Sequence, residues 1–189
     1  MNFAEQDWRI DDVWQRQMRD RILAPGFYGK YSADGRYVFI DKGRMAFHFQ
    51  RELAVDTIVQ RKDGGIVCIE EKIVRWPKRG YAYDAFTFET KSCTCPGREK
   101  TGWMIYGEAD YLFYCFSNAT EDELDCHLIE FPRLQKWFWD NIEAANWPRT
   151  VTEQINRTEC RIVPIAEVAA NVKTRQYKIT RPGWWEDAL

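Results

Sequence analysis

Val55-Asp56-Thr57-Ile58-Val59, the loop Arg61-Lys62-Asp63-Gly64-Gly65, and Ile66-Val67-Cys68-Ile69-Glu70-Glu71-Lys72 form the stretch on which the fold is read. Both flanks are rich in β-branched residues, and the Asp-Gly-Gly between them is a hairpin signal. Two adjacent strands would bring Asp56 beside Glu70 and Lys72. Residues two apart on a strand share a face, so Glu70 and Lys72 point one way and Glu71 the other. Two acids and a lysine at one spot on a sheet suit a hard divalent cation and an activated water. The plain alternative is a charged strand face in solvent, which the paired strands and the upstream acid argue against.

An acid on one strand and acid-x-Lys on the next resembles the PD-(D/E)XK nuclease superfamily, most closely an uncharacterised branch seen in phages and prophages. Gln50-Arg51 before Val55-Asp56, Glu70-Glu71-Lys72-Ile73, Phe86-Thr87-Phe88-Glu89, Gly102-Trp103 and Ala109-Asp110-Tyr111-Leu112 carry the resemblance over about positions 50 to 117. It departs from the usual pattern in the Thr57 that follows the first acid. The resemblance implies a restriction-endonuclease-like core, an α/β fold with a mixed central sheet flanked by helices. It implies Asp56, Glu70 and Lys72 as catalytic residues, and Mg²⁺ (or Mn²⁺) held by Asp56, Glu70 and the Glu71 carbonyl. Lys72 would orient or help deprotonate the attacking water. Gln50, Glu89 and Asp110 are candidate supporting residues. The implied reaction is phosphodiester hydrolysis, with DNA expected before RNA as partner. The rival reading is a catalytically silent protein of the same fold that binds nucleic acid or protein.

The chain has 189 residues, 45% of them hydrophobic and 30% charged, so one domain over 1–189 is the simplest organisation. A net charge of −2 is not that of a general nucleic-acid binder. Contacts to a phosphate backbone would need local cations: Arg75, Lys78 and Arg79 after the acid-x-Lys strand, and Lys91, Arg98 and Lys100 around a Gly/Pro loop. Solvated surface charge is the competing reading of all six. Six cysteines show no disulfide framework, and Cys68 and Cys115 read as buried thiols. Cys93-Thr94-Cys95 with Cys126-His127 is a poor match to zinc spacings. No membrane-length apolar run and no signal-peptide pattern occur, so a cytoplasmic protein is expected.

Ile10, Val13, Trp14, Met18 and Ile22 form a helical stripe from about Glu5 to Leu23, ended by Pro25-Gly26. Arg16, Arg19 and Asp20 fall on its other faces, and Asp7, Asp11 or Asp20 is a possible further acid near the metal. Further strands are expected near 37–40, 84–91, 111–116, 127–131 and 161–163, and helices over 132–145 and 165–172. Two histidines and no phosphate-binding glycine loop or nucleophile elbow leave other enzyme classes little to work with.

Overall fold

The computed structural model describes residues 13–40, 48–50, 52–75, 84–151 and 157–182. It is a mixed α/β structure with helices flanking a mixed sheet. The strands are β1 (Ser32–Phe39), β2 (Thr57–Arg61), β3 (Ile66–Val74), β4 (Ala85–Cys93), β5 (Lys100–Thr101), β6 (Tyr111–Ser117), β7 (Glu123–Glu130), β8 (Arg149–Val151), β9 (Glu159–Pro164) and β10 (Thr174–Thr180). The helices are α1 (13–31), α2 (Trp103–Tyr106), α3 (Phe131–Asn141) and α4 (Ile165–Asn171).

Six strands form the central sheet in the order β1-β2-β3-β6-β7-β10. β1, β2 and β3 are an antiparallel meander, and β6 then lies parallel to β3 with Glu70 opposite Leu112 and Lys72 opposite Tyr114. The β2–β3 turn closes as its sequence indicates. Arg61 N donates to Gly65 O at 2.8 Å, and Gly64 takes φ +86°, open to glycine without strain. The run Tyr111–Ser117 is covered on both faces, as a continuous apolar strand should be.

The two faces of this sheet bury different cores. One carries Val67, Ile69, Ile73, Phe113 and Cys115 under Trp14, Met18, Ile22 and Phe27 of α1. The other packs Leu112, Tyr114 and Phe116 against Phe86, Phe88, Phe138 and Val163. Those last residues belong to a second sheet, β5-β4-β9-β8, and to α3. The strand expected at 84–91 therefore leaves the central sheet. Its alternation holds: Phe86 and Phe88 are fully buried, whereas Thr87 and Glu89 are partly exposed.

The first helix departs from its sequence reading in three ways. Pro25-Gly26 does not end it: residues Arg19–Tyr28 wind in wider π-type turns that carry the chain through Pro25 to Tyr31. Val13 is exposed, while Arg19 is buried beneath its guanidinium's stack on the Phe39 ring, 3.9 Å from the centroid. Wider winding rotates later side chains off the 3.6-residue stripe. Gly26 stays because α1 presses on β10 there; a Cβ would come within 2.3 Å of Ile179 Cγ2. The 5–12 part of the expected helix, with Asp7 and Asp11, lies outside the described residues.

At Gly102, which precedes α2, a Cβ would meet the Glu89 carbonyl oxygen at 2.3 Å, and backbone cannot swing aside as a side-chain tip can. Gly102→Ala is expected to cost about 1–3 kcal/mol of stability through overpacking, measured as a fall in the urea midpoint with unchanged slope. A wild-type midpoint would refute this fit.

Candidate active site

Asp56 lies at the mouth of β2, immediately after a tight turn. Leu53 N and Val55 N both donate to Phe49 O, and Ala54 is held at φ +49°, a left-handed conformation that costs a non-glycine residue about 1 kcal/mol. The turn fixes Asp56 against β3 at two points. Its backbone N donates to Ile69 O at 2.9 Å, and its Oδ2 accepts from Glu71 N at 2.9 Å. Gln50 Nε2 donates to Oδ1 at 3.3 Å. The sequence's pairing of Asp56 with the acid-x-Lys strand is thus present in atomic detail.

Glu70 and Glu71 part company as strand alternation requires. Glu71 points towards α1, where its Oε1 accepts from Tyr28 OH and Thr57 Oγ1, both at 2.5 Å. Burial, then the nearby Asp56 charge, raise its pKa to about 7. Glu70 turns to the other face and shares a hydrogen bond with the Asp56 carboxyl. Burial, then Asp56, push Glu70 well above the ordinary carboxyl range. Burial also raises Asp56, against the opposing effects of the Glu71 N–H, Glu70, Arg19 and Lys72. Asp56 and Glu70 therefore share a proton when no cation is present.

Lys72 lies on the Glu70 face. Burial disfavours its charge, but the surrounding Tyr114, Glu89, Cys160 and Glu70 reverse the balance, and its pKa is raised. Tyr114 and Cys160 are themselves raised by burial and stay neutral near pH 7, so Glu89 is the anionic partner of Lys72. Glu89, also raised by burial, is held by the Trp103 N–H and by Lys72. That places Glu89 within the electrostatic group.

Asp110 is not part of it. Its carboxylate accepts from Cys68 N at 2.8 Å and its backbone bonds Cys68 O and Phe131 N, so it caps the start of β6. The expected phosphate-contact cations divide. Arg75 pairs with Glu121 at 3.2 Å and stacks on Trp14, and Lys91 lies 3.8 Å from Glu159. Arg98 and Lys100 are exposed, while Lys78 and Arg79 lie outside the described residues. Two cations missed in the sequence sit closer to the acids: Arg16 and Arg19 of α1 line a cavity of about 110 Å³ with Gln15, Gln50, Asp56 and Glu71. Their i, i+3 spacing was the available signal, obscured because Arg19 looked like a solvent-face residue.

Cys126 is buried in the α1-side core opposite Cys115, whereas His127 faces Phe86 and Phe116 across the sheet. Cys93 belongs to the second sheet, and among the described residues these side chains do not form a metal-binding group. Among the described residues no group of three or more His, Cys, Asp or Glu side chains is arranged around a metal position. All six cysteines are free, and Cys68 is only partly buried. No described helix is long and apolar enough to cross a membrane. The chain matches no family model, no curated protein and no solved structure.

The folded state raises the Glu71 pKa from 4.5 to about 7. A raised carboxyl binds its proton more tightly folded than unfolded, so its stabilisation is complete below pH 4.5 and is lost as pH rises through 7. In EDTA, Glu71→Gln keeps a neutral acceptor for Tyr28 and Thr57 and removes that loss. Wild type should lose on the order of 3 kcal/mol relative to Glu71→Gln between pH 4.5 and 8, measured by urea unfolding across pH. Parallel curves would show that Glu71 does not titrate with folding.

Proposed function

We propose that the chain is a metal-dependent nuclease with a restriction-endonuclease-like core, hydrolysing phosphodiester bonds in nucleic acid, DNA before RNA. One observation carries the reading: Asp56 and Glu70 meet in a direct carboxyl–carboxyl contact, with Lys72 on the same face. The helix, the three-strand meander and the parallel β6 support it by holding an acid at one strand's mouth and acid-x-Lys on the next.

Mg²⁺ or Mn²⁺ would be held by two carboxyls and not by a three-carboxylate cluster. Asp56 and Glu70 present oxygen donors and crowd each other enough to need a shared proton, a crowding that a hard cation relieves. The Glu71 carbonyl is a third oxygen on the same strand. When bound, the ion supplies Lewis-acid polarisation of the phosphoryl group and acidifies water. Gln50 orients Asp56. Lys72, with its raised pKa, remains an ammonium at neutral pH, so it donates hydrogen bonds and offsets charge developing on the phosphate oxygens. Arg16 and Arg19 add positive charge beside Asp56, which an acidic chain needs to receive a phosphodiester.

The decisive assay incubates the protein with mixed DNA and RNA, single- and double-stranded, in Mg²⁺, Mn²⁺ or EDTA. Asp56→Ala and Lys72→Ala run in parallel. Cleavage should require the metal and fall on the order of 10³-fold in each variant. Cleavage retained in both variants would remove this mechanism. Metal-independent binding without cleavage of any substrate would favour the silent binding protein.

A further inference from the structure

A cavity of about 310 Å³ opens on the α1 side of the central sheet, beside the last turns of that helix, with Val67 and Leu128 among its lining residues. Phe27 and Tyr31 of α1, Tyr111 of β6 and Tyr177 of β10 supply rings, and Arg61 and Arg175 supply the cations. The rings form one cluster. Phe27 lies 4.9 Å from Tyr31 and 5.1 Å from Tyr177, and Tyr31 meets Tyr177 edge-on at 6.0 Å. Tyr31 is 46% exposed, so much of an aromatic surface remains uncovered. No acidic side chain lines this cavity among the described residues.

The wall chemistry selects its occupant. Apolar ring faces accept a planar aromatic group by stacking, and phenol hydroxyls can hydrogen-bond its edge. Arginine forks match phosphate or carboxylate oxygens. Arg61 is engaged by the Asp63 carboxylate of its own turn. Arg175 feels Glu130, but Glu130 is already paired with Lys173 at 3.0 Å and Arg133 at 2.9 Å. Arg175 is therefore the principal anion contact. The volume lies at the lower end of small-ligand pockets, which suits one ligand unit rather than an extended strand.

We propose that this cavity binds a single nucleotide, its base stacked on the Tyr31/Tyr177 cluster and its phosphate on Arg175. The nucleotide is either a free monophosphate or the terminal unit of a single strand. The site shares no lining side chain with Asp56, Glu70 or Lys72, and it stands whether or not the chain cleaves nucleic acid.

The test is calorimetric titration of the full chain with AMP and CMP, with adenosine, with inorganic phosphate, and with a 5′-phosphorylated single-stranded DNA octamer. Tyr31→Ala and Arg175→Ala alter exposed side chains, and circular dichroism confirms their folding. Saturable binding of a monophosphate or the octamer should weaken about tenfold in each variant and persist in Asp56→Ala and Lys72→Ala. Tighter binding of the octamer than of the monophosphates assigns a strand end; the reverse assigns a free nucleotide. Absence of saturable binding by either, or binding unchanged in both Tyr31→Ala and Arg175→Ala, overturns the proposal.

Discussion

The structure turns on the clasp between Asp56 and β3. One residue both donates its backbone N–H to Ile69 and receives the Glu71 N–H on its carboxylate, extending the β2–β3 ladder by a side chain. Hydrogen bonds to a carboxylate from backbone N–H groups are stronger than neutral ones and directional. They place the acid where the strands converge, two residues after the left-handed Ala54. Without this clasp, nothing in β2 would oblige an ionised group to sit in a half-buried place.

From that point the pleat decides everything adjacent. Glu70 and Glu71 are chemically equal and one residue apart, yet Glu71 is answered by Tyr28 and Thr57, whereas Glu70 finds another carboxyl. The first arrangement is structural: a buried acceptor satisfied by two hydroxyls joins α1 to the sheet. The second is costly unless a proton or a cation enters to separate the two charges. Tyr28 belongs to both halves of this account, because its ring packs in the α1-side core while its hydroxyl fixes Glu71.

The sequence made the hairpin legible because β-branched alternation and Asp63-Gly64-Gly65 are local signals, and a period of two also determines which acids share a face. Tyr111–Ser117 was legible for a similar reason, its unbroken apolar run. Other features were not local. β10 reads Thr-Arg-Gln-Tyr-Lys-Ile-Thr, with little of it buried, and it is identified as a strand only by pairing with β7. The second sheet depends on β4 finding β9 about seventy residues away, information that no short window carries. Arg19 was misplaced because the π-type winding breaks the periodicity used to sort helix faces. Asp110, expected beside the site, was absorbed by the backbone of Cys68.

Charge balance carries the argument one step further. Asp56, Glu70, Glu71 and Glu89 form one electrostatic group, and Lys72 and Arg19 are the cations that act on it. Fully ionised, four carboxylates against two cations leave two negative charges in a poorly solvated region, where charges are expensive. Protons are one remedy, which is why Glu70 and Glu71 are both raised. A divalent cation is the other, and its charge equals the excess. Only the second remedy leaves both Asp56 and Glu70 ionised and able to act as oxygen donors at neutral pH, with Lys72 still protonated beside them. The negative charge of the chain is thus concentrated where a cation would neutralise it, with Arg16 and Arg19 lining the cavity beside Asp56 and Glu71.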